Sequence, residues 1–402
     1  MLVTVLLVAA GEFASFLVMG VWHGAFLRLP VVAPELDDGS VARRFFSSRN
    51  LLADDLRRAS HAYDGYPWAD QFLRERDERI AGWMHRYEPF RVWGNVEVHG
   101  TYINIDQHDS GLWRRTVNPC RDSRTRPTQV WLLGGSVVLG LDAPDFATIP
   151  SLLSQTLNGP GRPCTEVTNL SVEGYVLNQN LVLLTQLLKG GHRPEIVVFS
   201  GGPNEAYSGI YSPGLASAHP DLLEMRARTD HDIYWPGLID RVHLLRVARG
   251  VVTRTIGPPT LLTADRQGEP VAADWSEGAI RTKVTETLDN YEANIAMIRT
   301  LGAAYGFKAY FFWQPNMRFG SRARTRFERA YLQSPEFSDP DEDRAMDAAY
   351  AEAERRAART GSFVFLGHVF DGVEEPIYVD EVHFGPRGNA IMADAVAQRL
   401  RP

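Results

Sequence analysis

Cysteine is nearly absent: Cys120 and Cys164 are the only two in 402 residues. Two thiols build neither a disulfide scaffold nor a four-ligand zinc site. Each stands a few residues before an expected strand. If those strands are parallel neighbours, both thiols fall at the same end of a sheet. A disulfide, which fits an oxidising compartment, and a pair of buried free thiols are then both open. Positive charge is also short. The 42 Lys and Arg against 49 Asp and Glu leave a formal charge of -7, whereas a nucleic-acid binder needs a basic face. The local basic clusters, Arg121 to Arg126 and Arg318 to Arg329, read as solvated surface. There is no internal repeat and no low-complexity tract, which excludes solenoids and compositionally biased tails.

With 44% hydrophobic and 23% charged residues, the chain suits a large globular protein with a sizeable core. One long apolar run, Leu2 to Trp22, is interrupted by Glu12 and matches the ~20 residues that span a bilayer. No Lys or Arg precedes it, while Arg28, Arg43 and Arg44 follow, the reverse of what an anchor with an exported C-terminal side needs. The expectation is a membrane anchor over 1–23 with an extracytoplasmic domain behind it. A cleaved signal on a secreted protein comes second and a buried helix third. Residues 24–125 are charged and aromatic without clean periodicity and read as an accessory segment packed on the main domain. Within them, Leu51 to Arg86 has helical spacing, and Val92 to Ile105 alternates as strands do.

From 126 onward the pattern is regular. Val130-Trp131-Leu132-Leu133 is an apolar run closed by Gly134-Gly135, as expected of a buried strand ending in a sharp turn. Ser136 is the first hydroxyl after it. A helix (Ile149 to Leu157), a strand (Glu166 to Ser171), a turn at Gly174, a helix (Leu177 to Leu188) and a strand (Glu195 to Ser200) follow. Strand–helix alternation means βαβ crossovers and a parallel sheet. Residues 207–275, rich in Pro, Gly and Asp, read as an insertion or lid. A helix then runs from Ile280 to Gly306, with a strand at Phe307 to Trp313, a helix at Asp341 to Arg359, a strand at Phe363 to Leu366 and a last helix from Pro386.

The groups that carry chemistry stand where strands end. Asp380 and His383, spaced to meet on one turn before the last helix, suit a carboxylate that orients an imidazole base. Gly174 can offer an unobstructed backbone N–H, and Asn204, in Gly201-Gly202-Pro203-Asn204, a side-chain amide. With the N–H of Ser136 these make a three-donor oxyanion hole. Taken singly, each has a plainer reading, a surface pair, a helix-start turn or a loop amide. Four such groups at four strand ends in one order argue for a site, because open α/β sheets gather ligands at that edge. Tyr175, Glu205, Tyr207 and Trp313 adjoin these motifs and are candidates to line a pocket, with packing the better role for Trp313. Rival motifs fail on spacing. Gly134, Gly135 and Gly140 fit neither G-x-G-x-x-G nor the P-loop, and Val138 stands where an α/β-hydrolase elbow needs glycine.

Gly134-Gly135-Ser136, Gly174, Gly202-Pro203-Asn204 and Asp380-x-x-His383 resemble the four blocks of the SGNH (GDSL-like) hydrolase superfamily, over about Gln129 to the C-terminus. Gly135 departs from the pattern, since many members carry Asp there; the exchange also occurs in membrane-linked bacterial branches. The segment ending in Tyr102-Ile103-Asn104-Ile105-Asp106 and Asn118-Pro119 also resembles a region that precedes the domain in some bacterial members. The resemblance implies a flavodoxin-like three-layer α/β/α sandwich with a central parallel sheet and no metal or organic cofactor. By position it implies Ser136 as nucleophile, Asp380 and His383 as the rest of a triad, and Gly174 and Asn204 as oxyanion donors. The expected function is serine esterase chemistry on an O-acyl ester of a cell-surface glycan or a lipid-like substrate. The alternatives are a membrane-tethered O-acyltransferase modifying a polysaccharide, working beside a membrane-bound acyltransferase partner, and a non-catalytic glycan-binding scaffold.

Overall fold

The computed structural model describes residues 53–81, 85–120, 126–211, 274–335 and 337–400, all within one compact unit. The expected anchor at 1–23 and most of the expected lid, 212–273, lie outside the described residues. Among the described residues no helix is long and apolar enough to cross a membrane.

The unit is α/β with a mostly parallel sheet. Its strands are β3 (Ile105–His108), β4 (Gly111–Arg114), β5 (Thr128–Gly134), β6 (Thr165–Asn169), β7 (Ile196–Gly201), β8 (Lys308–Trp313) and β9 (Val364–Phe365). A separate hairpin, β1 (Arg86–Glu88) with β2 (Val92–Gly94), precedes them. The spatial order is β3-β4-β6-β5-β7-β8-β9. Pairing is parallel from β6 to β9. The expected parallel sheet therefore gains an antiparallel edge: β3 and β4 form a hairpin, and β4 joins β6 through Arg114 and Asn169. After β5 the chain steps first to one neighbour, β6, and then to the other, β7. That reversal opens a crevice at the C-terminal ends of β5 and its neighbours, the usual ligand position in such sheets.

Period-two alternation along the central strands sends side chains into two cores. Val130, Leu132, Val198 and Phe312 face α4 (Ile149–Leu157) and α10 (Pro386–Leu400), meeting Ile149, Leu153, Met392 and Val396. On the opposite face Phe199 stacks on Phe311, ring centres 5.2 Å apart. Trp313 there meets Tyr291 of α7 (Glu277–Tyr305) and Tyr350 of α9 (Pro340–Thr360). Trp313 is fully buried and has a packing role. Each such side chain taken from water contributes roughly 1.5–3 kcal/mol.

The segment before β3 differs from its sequence pattern. The long helix expected over Leu51 to Arg86 is two shorter ones, α1 (Ala53–Ala59) and α2 (Ala69–Ala81). Gly65, with φ of 81°, and Pro67 break the run between them. Strand structure in Val92 to Ile105 stops at Gly94; beyond one bridge, Val98 to Ile105, the chain to Asn104 is held by side chains, with Glu75 accepting the N–H groups of Thr101, Tyr102 and Ile103. Phe72 and Leu73 of α2, with Ile103 and Ile105, pack on Leu139, Leu141 and Val379. This further cluster packs α2 and the link before it against the Ser136 turn and the Asp380 loop.

Candidate active site

β5 ends at Gly134, and Ser136 opens the single helical turn α3 (Ser136–Leu139), which Gly140 closes in a left-handed conformation, φ 83°. Small residues are needed here because other elements come close. A Cβ on Gly134 would lie 2.6 Å from the Ser200 carbonyl of β7, and one on Gly135 would lie 2.4 Å from Asn204 Nδ2. Ser136 Nα, first in its helix, has no intrahelical acceptor and remains a donor at the turn.

Asp380 and His383 sit on a tight loop closed by a bridge between Tyr378 and Phe384 and by Val379 N–H donating to the His383 carbonyl, 3.0 Å. Asp380 Oδ1 accepts the backbone N–H groups of Val382 (3.0 Å) and His383 (2.8 Å). The carboxylate meets His383 Nδ1 at 2.8 Å through Oδ2 and at 3.0 Å through Oδ1. The other ring nitrogen, Nε2, stands 2.7 Å from Ser136 Oγ. With Nδ1 donating to the carboxylate, Nε2 carries the lone pair that can accept the serine proton. The loop after β8 steadies this turn: Asn316 Nδ2 donates to Glu381 Oε1 at 3.2 Å, and Met317 N–H to the Glu381 carbonyl at 2.8 Å.

The electrostatics follow the geometry. Burial by itself would raise the Asp380 carboxyl, but the His383 charge and hydrogen bonds, with Arg57 nearby, hold it far below the usual carboxylate range. Burial pulls His383 down, and the Asp380 charge and hydrogen bond, with Asp142 adding, outweigh it and leave the imidazole above its ordinary value.

Gly174 stands in the loop after β6 with φ of 71°, a left-handed position that favours glycine. That loop is laced to the end of β5 by Leu170 N–H to the Leu132 carbonyl, 2.9 Å, and Val172 N–H to the Gly134 carbonyl, 3.2 Å. Asn204, near the start of α6 (Pro203–Tyr211), donates one amide hydrogen to the Tyr175 carbonyl at 3.0 Å. Its nitrogen lies against Gly135, the residue before Ser136. The structure thus brings the loops carrying Ser136, Gly174, Asn204, Asp380 and His383 to one edge of the sheet.

The three candidate pocket residues do not line that edge. Tyr175 is buried, its hydroxyl bonded to the Trp93 carbonyl and to Arg91. Glu205 is buried and accepts the N–H groups of Gly202 and Leu177, tying the β7 turn to α5 (Leu177–Lys189). Tyr207 is buried as well. Their burial follows from the packing of α6, which is enclosed on nearly every side from Glu205 to Ile210, a placement invisible without knowing where that helix packs. Cys120 and Cys164 are joined in a disulfide at the opposite end of the sheet, next to the starts of β5 and β6.

Residues beyond the motifs also reach the site. Asp142, three positions past the end of α3, is buried between Arg57 of α1 and Arg76 of α2. Arg57 Nη2 is 4.0 Å from Asp380 Oδ2. From the β2 region, Trp93 Nε1 donates to the Glu173 carbonyl at 2.8 Å and Asn95 Nδ2 to the Ser171 carbonyl at 3.1 Å, which holds both sides of the Gly174 loop. One signal was present in the sequence: Arg76 falls at helical spacing from Phe72 and Leu73, on the apolar stripe, where a charge is unusual. Asp142, Asp380 and His383 have ligating atoms within 4.8 Å of one another. Asp142 is already neutralised by two arginines and His383 Nε2 is bonded to Ser136, so the donor set fits an ion-pair network better than a cation.

Comparison with protein families and with curated proteins finds no match. Among solved structures, the chain is similar to an acetyl xylan esterase, at 11% identity over 68% of this chain and 100% of that one, TM-score 0.36. It is similar to a GDSL-like lipase from Bacteroides thetaiotaomicron, at 13% identity over 68% and 87%, TM-score 0.31. A member of the lipolytic G-D-S-L family from Veillonella parvula aligns at 10% identity over 67% and 96%, TM-score 0.32. Likenesses this distant carry no argument about activity, which has to come from the site itself.

Proposed function

We propose that this chain is a serine ester hydrolase of the SGNH type, acting through an acyl-enzyme. The observation that carries the reading is the relay Asp380–His383–Ser136, with Nε2 2.7 Å from Oγ and the carboxylate on Nδ1. The four sequence blocks and their meeting at one sheet edge support it. Ser136 Oγ attacks the ester carbonyl while its proton passes to His383 Nε2, and Asp380 stabilises the imidazolium. The oxyanion is received by the N–H groups of Ser136 and Gly174 and the side-chain amide of Asn204. Collapse expels the alcohol, which takes the proton from His383. Water, deprotonated by the same imidazole, then cleaves the acyl-enzyme and releases the acid.

The Cys120–Cys164 bond supports placing the domain outside the cytoplasm, where esters of surface glycans or lipid-like molecules are the substrate class we assign. Ser136→Ala should abolish turnover and leave the circular dichroism spectrum unchanged; retained activity removes the nucleophile assignment. Failure of a fluorophosphonate probe to label Ser136 favours a binding scaffold. An acyl-donor assay with and without a glycan acceptor reads the fate of the acyl group. Free acid alone means hydrolysis, and acylated glycan means transfer.

A further inference from the structure

His383 is faced by two carboxylates: Asp380 on its own loop and Asp142 behind the nucleophile turn. A base so placed is in danger of holding its proton permanently, and an imidazolium cannot accept one from serine. The same cluster contains two guanidinium groups from the N-terminal helices. Arg57, buried on α1, donates through Nε and Nη2 to both oxygens of Asp142, the second at 3.2 Å, and its Nη2 stands 4.0 Å from Asp380 Oδ2. Arg76, buried on α2, reaches Asp142 Oδ1 at 2.8 Å and the Leu141 carbonyl at 3.2 Å. Tyr63, from the link between those helices, donates its hydroxyl to the Asp142 carbonyl at 2.8 Å. Two further carboxylates lie at the margin: Asp77 pairs with Arg76 Nη1 at 3.2 Å, and Glu381 is bonded to Asn316. Arg57 therefore sets a positive charge against the two aspartates that face His383, while Arg76 is shared between Asp142 and Asp77. Removing Arg57 leaves the carboxylates that face the ring less offset, and removing Asp142 leaves them more so.

We propose that Arg57, clamped by Asp142, is a charge-setting positioning residue for the base: it offsets the carboxylates that face His383, so that the imidazole stays free to take the serine proton at neutral pH. The proposal rests on the triad reading for its kinetic consequence, but not for its charge consequence, which His383 displays whether or not the protein is an esterase. It also gives the segment before β3 a part in catalysis, since no residue after 126 supplies either guanidinium.

The test uses the full chain and three variants: Arg57→Met, Arg57→Lys and Asp142→Asn, with the Arg57→Met/Asp142→Asn double variant as a fourth. Two readouts are taken for each, the pH midpoint of kcat/KM on a p-nitrophenyl ester and the NMR titration of the His383 ring. Arg57→Met should raise both midpoints by about one pH unit, and Asp142→Asn should lower them by a similar amount. Arg57→Lys, which keeps the charge, and the double variant, which removes one charge of each sign, should stay near wild type. A merely structural role would lower kcat in every variant without opposed shifts. Shifts of the same sign in the two single variants, a Lys variant that moves as far as Met, or a double variant displaced by a full unit overturns the proposal. If either single variant fails to fold, the Lys and double variants decide it. Absence of ester turnover with the NMR shifts intact would sink the esterase reading and leave the charge pair standing.

Discussion

A methyl group on Gly135 would stand 2.4 Å from Asn204 Nδ2. The residue before the nucleophile is thus small because an amide occupies the space a side chain would fill. Gly135→Ala should push the Asn204 amide away from Ser136 and lower kcat by about 10²–10³, the usual cost of one oxyanion donor. Asn204→Ala should do the same, and the double variant should be little worse than either, since both remove one interaction. Fully additive losses in the double variant would separate the two residues.

The pH dependence of acylation follows from His383. Its folded value is raised by Asp380, and only the neutral ring is a base. Activity therefore rises with pH through a midpoint above the ordinary ~6.5 of histidine. Asp380→Asn removes the raising charge, so the midpoint should fall, while kcat drops by roughly 10⁴ because the tautomer is no longer held. A pH–rate profile of both proteins checks the sign. A midpoint that rises in the variant contradicts the assignment of Asp380.

Trp93→Phe deletes the bond to the Glu173 carbonyl and keeps a ring against Tyr175, 5.7 Å away. Loss of one such bond is worth about 0.5–1.5 kcal/mol. If that energy holds Gly174 in place for the transition state, kcat should fall about 3- to 10-fold with KM unchanged. A higher KM at constant kcat would assign the loop to substrate binding instead.

The disulfide closes a separation of 44 residues, for which chain entropy predicts roughly 4 kcal/mol of stabilisation. Because it lies at the far end of the sheet from Ser136, Cys120→Ser/Cys164→Ser should lower Tm while kcat/KM, measured below the transition, stays within about twofold. Thermal melts and initial rates on the same preparation decide this. A large loss of activity in the folded variant would mean that the two ends of the sheet are coupled.

Much of the catalytic apparatus was legible because its signals are local. A strand that ends in two glycines and a serine, and a carboxylate three residues before a histidine, announce themselves within a few positions. The helix from Glu277 to Tyr305 and its stop were legible for the same reason, through a steady apolar spacing and the glycine at 306, which takes a left-handed φ of 82°. The pocket candidates Tyr175, Glu205 and Tyr207 were misplaced because the sequence shows that they adjoin the motifs, not which way their side chains turn. The mixed edge of the sheet was hidden too: β3 and β4 are four residues each, too short for alternation to stand out, and the pairing of β4 with β6 is long-range.

Arg57 marks the boundary between the two kinds of information. In the run Asp54-Asp55-Leu56-Arg57-Arg58 it looks like one more solvated charge. The chain by itself determined which chemical groups exist, and that a serine, an imidazole, a carboxylate and two hydrogen-bond donors fall at strand ends. Only the tertiary structure decided that the two N-terminal helices pack beneath those ends and bury Arg57 and Arg76 against Asp142. Hydrophobic spacing is written along a segment, whereas the surroundings of a charge are set by whichever distant segment packs over it.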